Sequence, residues 1–314
     1  MVDSYESTYY DSDMIMLFLF GAGASNGSLD CIPYSPPLGR QLFSKLQNAG
    51  GIARTIRGEL ADLFSQDFEK GMDVFFDKRN EDVTAFLREI AKYFAKFEPG
   101  PNNLYRELIN ALWGSKDKLV FSTINYDLLI EIALNQAGFA ISYSGLPVPK
   151  NNFPVIKIHG SCNFLPEVQP RQIRGVRFRV PKTAGILDAR VRAVTPQEVI
   201  EFCRREDSIA PVIAMYGGSK WVPFCRRFVE EQQKYWQHEA YRAKRIFIIG
   251  AGVHERDTHI WEPLAKSTAW LGYVGDEWPK FYRWANDNKR ERVDFIAERF
   301  EDAIPVIASR MIRP

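Results

Sequence analysis

No stretch of this 314-residue sequence approaches the ~20 consecutive apolar residues that span a bilayer. The run Met14 to Phe20 is apolar but short, and the tail before it is acidic where a secretory signal needs a basic start. It therefore reads as a buried strand. Cysteine is scarce: Cys31, Cys162, Cys203 and Cys225 stand apart, with no CxxC pair. That removes the usual zinc-ribbon spacing. With no sign of secretion, four separate thiols and a cytoplasmic location are expected rather than disulfides. Charge of one sign is also lacking. A net charge of +2 gives no global ground for nucleic-acid binding, and no such partner or membrane is expected. Low-complexity tracts and internal repeats are missing, so the length suits one large α/β domain carrying an insertion.

What is present is an alternation of strands and helices. Residues 1–13 are polar and acidic without periodicity, and are expected to form a mobile arm. Met14 to Phe20 runs into Gly21, as a strand buried on both faces does. The prolines at 33, 36 and 37 make a loop, and Leu38 to Gln47 has helical spacing. From Ile52 to Phe97 the pattern is helical throughout, with Ile56, Leu60, Leu63 and Phe64 on one face and Val83, Phe86, Leu87, Ile90, Phe94 and Phe97 on another. Strands follow at Leu119–Ser122, Phe139–Tyr143, Val155–Ile158, Arg245–Ile249, Trp270–Val274 and Val293–Ile296, with a helix over Leu128–Gln136. The alternation predicts an α/β fold: a Rossmann-like doubly wound parallel sheet over 14–314, with a helical insertion at about 52–98. Residues 163–220 are rich in Pro, Gly and Arg and read as loops with a local hairpin.

Four segments carry chemistry. Phe18 to Ser25 reads FLFGAGAS, a strand entering Gly-x-Gly, where backbone N–H groups can meet a phosphate without a Cβ in the way. The dehydrogenase fingerprint is incomplete, because Asn26 stands where the third glycine belongs and no acid closes a strand ~20 residues on. In Leu119 to Glu131, LVFSTINYDLLIE, Asn125 and Asp127 fall at the carboxyl end of a strand, where open α/β sheets bind ligands. The Asn125 amide can hold a ribose hydroxyl and orient a water, whereas Asp127 suits a helix cap. Thr123 and Tyr126 read as packing or rim residues. His159 in PVIKIHGS follows a strand on the same edge and can take a proton near neutral pH. Arg245 to Ile260 brings a second Gly-Ala-Gly at Gly250, where the other half of a dinucleotide would meet the sheet. His254 and His259 flank it, Asp257 suits the N-cap of the next helix, and His238 reads as surface.

Taken in order, GAG-x-S, T-x-N-Y-D, H-G and the late glycine turn resemble the sirtuin superfamily, and especially its bacterial SIR2-like branch. The resemblance implies that Gly21, Ala22, Gly23 and Ser25 cradle NAD, that Asn125 holds the nicotinamide ribose, and that His159 is the base. Thr123, Asp127 and Gly250 lie in the matching segments and complete the candidate set. The zinc-binding cysteine pairs of the protein deacylases are missing, and Pro33 is followed by Tyr34-Ser35-Pro36 where those enzymes carry Pro-Asp-Phe-Arg. Both departures point away from peptide deacylation and toward cleavage of NAD as a substrate, with no metal. The branch implies an anti-phage effector that depletes NAD, a homo-oligomer, and an activating sensor such as an Argonaute-like protein or a HerA-type ATPase. A deacylase or ADP-ribosyltransferase, and a non-catalytic nucleotide-binding module, remain the alternatives.

Two further features are outside that set. Arg171, Arg174, Arg177, Arg179, Lys182, Arg190 and Arg192 make a basic stretch, within which Val176 to Val180 alternates like a strand with one solvated face. Six of the seven tryptophans follow residue 220 and suit a core or an oligomer contact.

Overall fold

Every residue of β1 (Met16–Phe20) is apolar and buried. Side chains alternate across a strand, so Met16, Phe18 and Phe20 enter one apolar cluster while Leu17 and Leu19 enter another. A strand with a core on each face needs helices on both sides of its sheet. The computed structural model, which describes residues 15–146, 152–168, 175–176, 178–180, 185–205, 208–214, 222–254 and 256–312, has that arrangement.

After β1 the chain makes a short helix α1 (Ala22–Asn26) and a two-residue strand β2 (Cys31–Ile32). Five helices follow: α2 (Gly39–Ala49), α3 (Gly51–Thr55), α4 (Glu59–Gln66), α5 (Phe68–Lys78) and α6 (Val83–Phe94). A strand β3 (Glu98–Pro99) pairs back on β2, and α7 (Leu104–Ala111) leads to β4 (Leu119–Thr123). Then come α8 (Leu129–Gln136), β5 (Ala140–Ser142) and β6 (Asn152–Lys157). An antiparallel pair, β7 (Phe164–Pro166) and β8 (Val191–Ala193), precedes α9 (Pro196–Arg205) and α10 (Arg226–Arg242). The chain closes with β9 (Arg245–Ile249), α11 (Thr258–Lys266), β10 (Trp270–Val274), α12 (Trp278–Asp287), β11 (Val293–Ala297) and α13 (Phe300–Ile312).

Seven of these strands form one parallel sheet in the order β11-β10-β9-β1-β4-β6-β5. The helices between β1 and β4 pack on the face of Phe18 and Phe20, joined by α8 and α13. Trp236 and Ala240 of α10, Ile260, Trp261 and Leu264 of α11, and Phe281 of α12 cover the face of Leu17 and Leu19. The sheet is doubly wound as the alternation predicts. Within the helical group, Phe43 stacks on Phe64 at 4.5 Å and Phe86 meets Phe64 edge-on at 5.8 Å, so the helices share an aromatic core of their own. No helix among the described residues is long and apolar enough to cross a membrane.

Three expectations need correction. The described residues of Val176–Val180 form no strand: Val180 is tied instead to Asn80, which donates to the Val180 carbonyl at 2.9 Å and accepts its amide at 2.6 Å. A side-chain amide has replaced a sheet ladder, which alternation alone does not reveal. The loop reading of 163–220 missed α9, which buries Val199 and packs Ile200, Phe202 and Cys203 against the core. The antiparallel pair found there, β7 with β8, joins strands separated by 24 residues of sequence and is not the local hairpin that was expected. The acidic arm 1–13, Trp221, and Arg171, Arg174, Arg177 and Lys182 of the basic stretch lie outside the described residues.

Beyond β6 the segment 208–214 is laid across the His159–Gly160 turn. The Ser161 amide donates to the Val212 carbonyl and the Ala214 amide to the His159 carbonyl, at 3.0 and 2.8 Å. Gly160 has φ +76°, and a Cβ there would stand 2.1 Å from the Val212 oxygen. Gly160→Ala combines left-handed strain with that clash and should cost about 2–4 kcal/mol. Gly114→Ala, which meets nothing within 4 Å, should be near neutral. Chemical denaturation of both variants measures the contrast, and equal midpoints would show that the turn does not need its glycine.

Candidate active site

β1 and β9 are neighbours, yet the chain leaves them in opposite directions, from β1 toward β4 and from β9 toward β10. Such a switch point opens a crevice at the carboxyl ends of the strands. The register sets Phe20 beside Ile249, so the two glycine turns emerge side by side. They interlock through backbone. The Gly21 amide donates to the Ile249 carbonyl and the Gly23 amide to the Gly250 carbonyl, each at 2.9 Å. Gly250 has φ +60°, and a Cβ there would lie 2.1 Å from the Ala24 nitrogen; one on Gly21 would lie 2.4 Å from the Gly250 oxygen. The amides of Gly21 and Gly23 are therefore engaged in the fold rather than bare, and Ala22 is the exposed residue of the loop.

Asn125 sits at the end of β4 and ties that strand to the loop. Its amide nitrogen donates to the Gly21 carbonyl at 2.8 Å and to Ser25 Oγ at 2.9 Å. Thr123 Oγ1 accepts the Asn125 backbone amide at 3.0 Å and donates to the Phe20 carbonyl at 2.9 Å. Ser25 Oγ also meets the buried Tyr105 hydroxyl at 3.0 Å. The amide oxygen of Asn125 is then the group left for the cavity that this residue lines. Tyr126 donates to the Ala214 carbonyl at 2.7 Å, a packing role as expected. Asp127 accepts the Leu129 amide at 3.2 Å just before α8, a turn bond two residues ahead; the N-cap position itself falls on Leu128 rather than on Asp127 as expected.

Beneath these residues lies a charge cluster that sequence reasoning missed. Lys157, inside the apolar strand β6, is fully buried. Its Nζ donates to the Asp127 carbonyl at 2.7 Å and pairs with Glu131 Oε1 at 2.9 Å. Glu131 also accepts from the Tyr143 hydroxyl at 3.4 Å. Burial pushes the Asp127 and Glu131 carboxyls above their usual range, and the Lys157 ammonium is the largest influence pulling each back. A lysine within Val-Ile-Lys-Ile and a glutamate within Leu-Leu-Ile-Glu-Ile-Ala-Leu were the signals, each a charge in an apolar run.

His159 is 1% exposed, and its Nε2 lies 2.9 Å from Nε2 of His259, 100 residues later. Asp257 holds the N-cap position of α11 as expected, but its side chain makes no capping bond. One of its oxygens instead lies with the two imidazole nitrogens, all within 4.8 Å of one another. His259 was placed only loosely by its sequence position. His254 is exposed beside the glycine turn, and His238 is exposed on α10.

Ala22, Gly23, Ser25, Asn125, Asp127, His159, Gly250 and Asp257 all line one cavity of about 470 Å³. Of the sequence candidates, Gly21 and Thr123 are not on its wall but support residues that are. The far wall adds Asp276 and Glu277, just past β10, and Arg40 of α2. Among the described lining residues Arg40 is the one with a fixed positive charge. The arrangement offers a backbone cradle, an amide, an imidazole and an acidic wall, which suits a ligand with a hydroxyl-rich and partly cationic body.

No family model and no curated protein matches the chain. Among solved structures it is similar to a mutant Sir2 homologue in complex with ADP-ribose, at 14% identity and TM-score 0.49 over 96% of this chain and 94% of that one. It is also similar to a Sir2 mutant with a p53 peptide and NAD, at 15% identity and TM-score 0.48 over 95% and 92% of the two chains.

Lys157→Met removes one partner of a buried pair and should cost about 3–5 kcal/mol. A carboxyl whose folded pKa lies above its unfolded value destabilises as pH rises through the folded value. The deficit should therefore be larger at pH 8 than at pH 5. Urea unfolding at the two pH values checks this. A deficit that is constant with pH would mean that Asp127 and Glu131 are not held ionised by Lys157.

Proposed function

We propose that this chain is an NAD+ hydrolase that cleaves the bond between nicotinamide and ribose to give nicotinamide and ADP-ribose. The observation that carries the reading is the convergence of the two glycine turns, Asn125 and His159 on one cavity at the switch point. The ordered segments GAG-x-S, T-x-N-Y-D and H-G support the same assignment. The Gly21 and Gly23 amides are spent on the fold, so a pyrophosphate would lie along the turn where no large side chain blocks it, with the exposed Ala22 and Arg40 on the open side. Asn125 would hold the nicotinamide ribose through its amide oxygen, and Thr123 would hold Asn125. Asp127 and Gly250 complete the set of NAD-contacting residues.

The chemistry asks little of the protein. As the C1′–N bond breaks, its electron pair returns to the nicotinamide ring, which leaves neutral, and positive charge develops at C1′. Water adds at C1′ and its proton passes to His159. Holding the ribose and pyrophosphate still lowers the barrier by orientation. The carboxyls of Asp127 and Asp257 on the wall favour the developing cation. The step needs no Lewis acid, so we assign it no metal. An enzyme that drains NAD needs restraint. We therefore place it as a homo-oligomeric effector, of the kind used in anti-phage defence, held back until a sensor or activator protein engages it.

Chromatography of NAD incubated with the chain, alone and with candidate activators, should show free nicotinamide and ADP-ribose, undiminished by EDTA. Asn125→Ala and His159→Ala should each lower turnover by about 10²–10⁴ with the fold intact by circular dichroism. Nicotinamide released only with an acylated or acceptor protein would turn the assignment to group transfer. Binding without turnover in any condition would sink it.

The acids past β10 add a selectivity. At the end of the strand after a glycine turn, a carboxylate accepts ribose hydroxyls and repels a 2′-phosphate. NAD should be cleaved in preference to NADP. The double variant Asp276→Asn with Glu277→Gln should narrow that preference about tenfold, a difference of about 1.4 kcal/mol. Unchanged kcat/KM ratios for the two dinucleotides would remove these residues from the site.

A further inference from the structure

We propose that His159, His259 and Asp257 form a binding site for one divalent ion of the zinc class, and that the bound ion holds the site inactive. The geometry stands independently of the proposed reaction; the inhibitory consequence rests on it. Asp257 and His259 are two residues apart at the head of α11, and His159 follows β6 from the other half of the sheet. Their ligand atoms lie within 4.8 Å of one another, and the two imidazole Nε2 atoms are 2.9 Å apart. Zinc binds imidazole at about 2.0–2.1 Å and carboxylate at about 2.0–2.2 Å. A tetrahedral site thus wants its donors about 3.3 Å apart, so the two rings need open by only a few tenths of an ångström.

The donors are held in advance. His159 is 1% and Asp257 3% exposed. The His159 carbonyl accepts from Ala214 at 2.8 Å, and the Asp257 carbonyl accepts from Ile260 at 2.8 Å and Trp261 at 3.0 Å. Backbone on both sides of the cluster is thereby fixed. Two imidazoles and one carboxylate suit zinc and its neighbours, whereas magnesium and calcium prefer oxygen alone. Three protein donors leave a fourth position, and the cavity lined by His159 and Asp257 is where it opens.

The location decides what the ion does. Coordination takes the Nε2 lone pair of His159, the group that must accept the proton from water. It also sets a dication beside a ribose carbon that gains positive charge as nicotinamide leaves. Both effects oppose cleavage, so the ion is a brake and not a cofactor.

The test uses the full chain stripped with EDTA and desalted. Zinc uptake is read by competition with a chromophoric chelator, and cobalt by its visible d–d absorption. The unmodified chain and His238→Ala, altered at an exposed histidine, should each take up one ion. Asp257→Asn, His259→Ala and His259→Gln should bind at least about tenfold more weakly; the glutamine keeps a hydrogen-bonding side chain and so separates ligation from packing. No uptake by the unmodified chain, or equal affinity in the three variants, overturns the site. Stoichiometric zinc should suppress NAD cleavage and EDTA should restore it. Turnover that zinc leaves unchanged or raises overturns the brake. A stripped chain that cleaves no NAD either alone or with any candidate activator counts against the hydrolase reading, while the cobalt and zinc titrations still decide the site.

Discussion

The contact between Gly21–Gly23 and Gly250 is what the rest of the site hangs on. Two backbone turns approach so closely that a single methyl group on either would collide with the other's main chain. Hydrogen bonds between the turns replace the side chains that are missing. That contact joins the two halves of the sheet at the point where the winding reverses, and it leaves the carboxyl edge open there. Asn125 then reaches across from β4 and clamps the first turn through the Gly21 carbonyl and Ser25. Both donors of this asparagine serve the fold, which leaves its acceptor for the cavity that the residue lines.

Below that layer the chain buries an ion pair. Lys157 is surrounded by sheet residues, yet it is satisfied by the Asp127 carbonyl and by Glu131. Such a pair contributes little net stability and is costly to break. Its effect is geometric: it draws the start of α8 onto the end of β6, and so fixes the NYD turn relative to the His159 turn. The NYD and His159 segments thus share a support that neither contains on its own.

Much of the sheet was legible in the sequence because strands buried on both faces are continuous apolar runs that end at glycine, as at Phe20–Gly21 and Ile249–Gly250. The candidate residues Asn125 and His159 were legible for the same reason, since each follows such a run. What escaped has a common physical cause. His259 and Asp257 meet His159 only through packing of α11 beside the sheet, a contact between residues 100 positions apart that no local period encodes. Lys157 and Glu131 stood out as charges in apolar runs, but their partnership depends on the register of β6 against α8. The strand expected at Val176–Val180 failed because Asn80, far away in sequence, takes up the Val180 backbone groups.

The position of β1 in the sheet also bears on when the molecule can act at all. Its first glycine turn is synthesised well before the turn that packs against it, which belongs to β9, near residue 250. At about 5–20 residues per second, the second follows the first by on the order of ten to fifty seconds. During that interval the nascent chain has Gly21, and later Asn125 and His159, without the wall that closes around them. The order of synthesis therefore makes the cavity a late feature, one that cannot exist before β9 and the turn at Gly250 have emerged.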